Sequence, residues 1–136
     1  MSTLSARDVA IAACSTSAFV HAWLVTAHRD ESLLAASFGC AAVALAVVGF
    51  ALTQPSRVSA PPAATGLFAG LLVAYPIVVL AGGDGFDALG LATKAVEAVG
   101  LAALVAGRRT GSFGSADALV GAVLGTLLVS VLGHGH

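Results

Sequence analysis

Long apolar stretches broken by short polar ones set the pattern of this chain. Five runs stand out, at approximately 9–27, 32–53, 65–82, 86–107 and 117–133. A helix rises about 1.5 Å per residue, so roughly 20 apolar residues cross ~30 Å of hydrocarbon. All five approach that length, and the last is the shortest. The pattern predicts an all-α fold: a polytopic transmembrane helical bundle of five spans, or of four should one run not cross. Residues 1–136 form a single integral membrane domain in this reading.

The breaks between runs carry turn chemistry. His28-Arg29-Asp30-Glu31 is a tight charged turn. The stretch 54–64 holds Pro55, Pro61 and Pro62, which stop a helix and favour extended backbone. Gly82-Gly83-Asp84-Gly85 reads as a flexible turn, and the stretch 108–116 is polar and glycine-rich. Ser115 or Asp117 can cap the last helix. Val25-Thr26-Ala27 has the small residues of a signal-peptidase site. Arg7 lies beside Asp8, however, and the run holds His21, so the segment is read as a retained span.

Composition sharpens the class. Apolar residues make up 58% of the 136 and charged residues 10%, which excludes a disordered chain and an ordinary soluble domain. Six basic against seven acidic residues, with no basic run, exclude nucleic acid as a partner. The partner expected is the lipid bilayer. Cys14 and Cys40 lie inside apolar runs with no CxxC spacing, so no zinc or redox motif is present.

Charge sorting sets the expected orientation. With the N-terminus inside, Arg7, Arg57, Arg108 and Arg109 all face the cytoplasm, and Arg29 alone among the loop arginines faces out. The positive-inside rule therefore predicts a multi-pass protein of the plasma membrane. Its N-terminus would be cytoplasmic and, with five spans, its C-terminus external. Gly66 with Gly70, Gly121 with Gly125 and Ala36 with Cys40 make small-xxx-small pairs. Such pairs let helices approach closely, within a bundle, in a homo-oligomer or against a larger membrane complex.

Candidate chemistry lies in one polar layer. Ionisable side chains inside a bilayer are costly, so they face the bundle interior and take partners. Lys94 and Glu97 are three apart and share a helical face, on a stripe with Asp87 and Gly90. Counted from the outer end of their span, Lys94 lies roughly 12 Å deep and Glu97 roughly 16 Å. His21 falls roughly 9 Å and Tyr75 roughly 10 Å below the same surface. Pro76 lacks an amide donor and can free a carbonyl towards this layer. The candidate ligand- or ion-binding residues are thus His21, Tyr75, Lys94 and Glu97.

Each also has a plainer structural reading. Lys94 can snorkel to the headgroups or bridge Glu97 without chemistry. His21 and Tyr75 can be hydrogen-bonded packing residues, and Trp23 an interfacial anchor. Along the first span Cys14, Ser17, His21 and His28 follow helical spacing. A bis-histidine haem needs a second buried histidine. The others, His28, His134 and His136, fall at or beyond the outer surface, where they form a weak metal set. No cofactor is expected.

No Ser-His-Asp order, HExxH, GxSxG or phosphate loop is present, so no enzyme reaction is assigned. The functional expectation is a small polytopic membrane protein with a buried polar layer. It would serve as a binding or transport component for a proton, ion or small polar ligand. The alternative is a structural or accessory subunit of a larger membrane complex, with no chemistry of its own.

Overall fold

The computed structural model describes residues 5–82 and 87–109. Within them stand four helices: α1 (Ala6–Ala27), α2 (Ser32–Thr53), α3 (Ala60–Gly82) and α4 (Ala88–Arg109). All four are long and apolar enough to cross a membrane. The chain is therefore an all-helical membrane bundle, with four spans supported rather than the five expected. The fifth stretch, 117–133, lies outside the described residues, as do the GxxxG of Gly121 and Gly125, His134 and His136.

The helix starts differ from the expected ones for local reasons. α1 begins three residues early because Ser5 and Asp8 form a capping box. The Ser5 hydroxyl accepts from the Asp8 amide while the Asp8 carboxylate accepts from the Ser5 amide, satisfying two otherwise orphan donors. α3 begins at Ala60, so Pro61 and Pro62 open the helix instead of excluding it. Amides in a first helical turn have no intrahelical acceptor, and proline there loses nothing.

Successive helices run antiparallel. Arg7 at the start of α1 donates through Nε to the Leu52 carbonyl and through Nη2, at 2.7 Å, to that of Gln54. The guanidinium thus caps the C-terminal end of α2, where carbonyls lack helical partners. α4 runs back along α1, with Gly107 beside Ala6 and Gly100 beside Ala13. Tyr75 near the end of α3 meets Gly90 near the start of α4. α1 packs on α2 and α4, and α3 closes the ring against the same two.

Burial follows this ring. Ala10, Cys14, Leu45, Leu52, Ala64 and Phe68 are fully buried in the centre. Phe19, Val43, Val47, Phe50, Ile77 and Leu80 point outwards, as lipid-facing side chains do when the solvent is hydrocarbon. Trp23 is half-exposed near the end of α1 opposite Arg7. Among the described residues the closest approaches do not come from the small-residue pairs. Ala36 and Cys40 are exposed, while Gly49 sits against Cys14 and Gly100 against Ala13 and Phe68. Arg7, Arg57 and Arg108 share one end of the bundle, with Arg29, Asp30, Glu31 and Asp87 at the other.

Candidate functional site

The centre of the site is a carboxylate with no exposure. Glu97 lies on α4, on the face turned towards α1. Its Oε2 accepts from Lys94 Nζ at 2.6 Å, across one helical turn. Its Oε1 accepts from the Ser17 hydroxyl of α1 at 2.6 Å. Lys94 also reaches α3, where the Leu71 carbonyl lies 3.4 Å from Nζ. One ion pair therefore ties three helices. An ion pair is tolerated at such depth only when its remaining donors and acceptors are also met.

Lys94 does not snorkel. Its side chain is 14% exposed and turns inwards to Glu97. Nor is the carbonyl it meets the one that Pro76 leaves without a donor. A proline at 76 deprives Leu72 of its helical partner, while the ammonium lies against Leu71.

His21, on the same face of α1 as Ser17, is buried. Its Nδ1 lies 2.8 Å from the Ser17 carbonyl oxygen and 3.3 Å from the Ser17 hydroxyl oxygen. A carbonyl can only accept, so Nδ1 carries the proton. In the neutral ring Nε2 is then an acceptor, and it bonds to no described residue. Tyr75 donates its hydroxyl to Asp87 Oδ2 at 3.3 Å, and its ring centre lies 5.6 Å from Lys94 Nζ. The Gly90 amide donates to Asp87 Oδ1 at 2.7 Å. That bond holds the Asp87 carboxyl below its usual range. A Cβ on Gly90 would stand 2.6 Å from Tyr75 Cζ, so glycine here is what lets the phenol lie over the first turn of α4.

Between the four helices lies a cavity of about 220 Å³. His21, Tyr75 and Lys94 line it, with His28, Asp87 and Gly90 at its outer end. The remaining wall is mainly aliphatic, from residues such as Leu24, Leu71 and Val79, with the Phe38 ring among them. The structure thus brings three of the four expected residues to one space. Glu97 stays beneath, behind Lys94, and does not line it. Below Glu97 the helices close on Gly100.

Ser17 is the residue that sequence reasoning left out of the polar set. The available signal was its four-residue spacing from His21, which places both on one face of α1. Of the weak metal set, His28 is occupied with Glu31, at 3.2 Å from Nδ1 to Oε1. Among the described residues no three His, Cys, Asp or Glu side chains gather as metal ligands would. Cys14 is buried and Cys40 exposed, and both are free thiols. No known protein family, curated protein or solved structure matches the chain.

Proposed function

We propose that this protein is a binding component of the plasma membrane that takes a small ligand into the cavity between its four helices. One observation carries the reading: a cavity of about 220 Å³ has Lys94, His21 and Tyr75 on an otherwise largely apolar wall. Ligand sites have this composition, apolar surface for affinity and a few polar groups for orientation. The close packing at Gly100, beneath Glu97, favours binding over passage.

Ala74 is buried on the cavity wall. Ala74→Phe would fill the space from α3 and keep both members of the Lys94–Glu97 pair in the chain. Ligand uptake by the purified protein is expected to fall at least tenfold, with helicity unchanged. Unaltered uptake in a folded Ala74→Phe protein would remove the cavity from the account.

The orientation in this proposal places Arg7, Arg57 and Arg108 on the cytoplasmic side, which puts the mouth of the cavity outside. Their shared end of the bundle supports it. Reporter fusions should read cytoplasmic at Gln54 and external at Asp30; the reverse pattern would turn the cavity to the cytoplasm.

The accessory-subunit reading also has one observation in its favour. Glu97 has both oxygens bonded and is sealed from the cavity, so the ion pair serves as a structural tie. A partner that co-purifies in mild detergent and covers Ala36 and Cys40 on α2 would favour that role. A monodisperse single chain that binds ligand would favour the first.

A further inference from the structure

The cavity's polar groups are few and their hydrogen-bonding roles are determined, so they restrict what can occupy it. The Ser17 carbonyl holds the proton of His21 on Nδ1 and leaves Nε2 as an acceptor. Lys94 has three N–H donors. One goes to Glu97 and a second points at the Leu71 carbonyl, which leaves one for an oxygen in the cavity. An occupant that donates to His21 and accepts from Lys94 satisfies both. A hydroxyl group carries both functions, a donor and an acceptor.

Charge and shape narrow the class further. The Lys94 ammonium is already paired with Glu97, and Asp87 stands at the rim, so an anion gains little. A cation would face the ammonium. A neutral molecule avoids both costs. A cavity of about 150 Å³ lined by apolar side chains holds benzene, and this one, at about 220 Å³, has room for a ring with short substituents. Phe38 on the wall lies edge-on to the His21 ring, with centroids 6.0 Å apart, so an aromatic occupant would meet aromatic neighbours.

We infer that the cavity takes a neutral hydroxylated ring, of the phenol or hydroquinone class, with its hydroxyl between His21 Nε2 and Lys94 Nζ. This inference rests on the binding role proposed above and specifies its ligand.

The test uses the full chain in detergent micelles with phenol, toluene and benzoate as probes. Binding is taken as the difference from Ala74→Phe, so that partition into the micelle cancels. Phenol is expected to bind roughly 10- to 100-fold more tightly than toluene, the value of two net hydrogen bonds. His21→Leu should cut that preference to roughly 3- to 10-fold, the value of the remaining hydrogen bond from Lys94, and leave toluene affinity within about twofold. In the unaltered protein, nitrogen NMR of the histidine rings should show a protonated Nδ1 at His21 and a shift at Nε2 with phenol alone. This readout does not depend on His21→Leu folding. Equal affinity for phenol and toluene, or tightest binding of benzoate, overturns the ligand class while leaving the cavity a binding site. Binding of none of the three above the Ala74→Phe background overturns the binding role and this inference together.

Discussion

Lys94→Met is expected to destabilise the bundle by about 3–5 kcal/mol, the cost of leaving one half of a buried ion pair without its partner. The side chain of Glu97 has no exposure and, among the described residues, receives two donors, Lys94 and the Ser17 hydroxyl. With the ammonium gone, a hydroxyl alone remains to hold a carboxylate near the middle of a span. Lys94→Met combined with Glu97→Leu should recover most of the loss, because an apolar pair of similar volume replaces a buried ion pair nearly neutrally. Ser17→Ala should fall between, at about 1.5–3 kcal/mol for a hydrogen bond to a charged group. Reversible unfolding in mixed micelles, followed by helicity, measures all three. A single variant no less stable than the double one would mean that the pair is not the tie between α1, α3 and α4.

Gly100→Ala is the second variant with a large expected effect. A Cβ built there would lie 2.7 Å from the Ala13 Cβ and 2.8 Å from Phe68 Cε2. Neither neighbour is the loose end of a flexible chain: one is fixed to the α1 backbone and the other is a fully buried ring. Overpacking of this kind costs about 1–3 kcal/mol. Alanine recovers about 0.5–1 kcal/mol of helix propensity over glycine, so with two rigid neighbours the steric conflict wins and the net loss reaches about 2 kcal/mol. Gly39→Ala is the matched control. Its Cβ would meet Val25 Cγ2 at 3.7 Å, an ordinary contact, so propensity decides and the variant should be neutral or slightly stabilised. Equal effects at the two positions would show that helix propensity, and not packing, governs both.

These two predictions depend on features of unequal legibility. The Lys94–Glu97 pair could be read from spacing alone, since residues three apart on a helix share a face and a polar face in an apolar span must turn inwards. The partner of that pair could not. Ser17 lies 80 positions from Glu97, and nothing local to α1 marks it as a carboxylate donor. Arg7 shows the same limit. Its charge counted towards orientation, yet its observed contacts cap the distant end of α2. The close-packed glycines were also missed. GxxxG spacing drew attention to Gly66 and Gly70, while Gly49 and Gly100, which belong to no GxxxG pair, make tight approaches.

The chain by itself determined the class of solvent and the helical secondary structure of the four described spans. These are properties of single segments, governed by hydropathy over about 20 residues and by a rise of about 1.5 Å per residue. Turn chemistry was partly legible: the prolines at 61 and 62 were read as a stop, although in a first turn they lose no hydrogen bond. Only the tertiary structure decided that Ser17 of α1 reaches Glu97, that Lys94 also meets the Leu71 carbonyl of α3, and that Glu97 lies behind the cavity. The physical reason is common to all three. Each is settled by which side chains of other helices arrive at the same depth and rotation, and hydropathy within one helix carries no information about that angle.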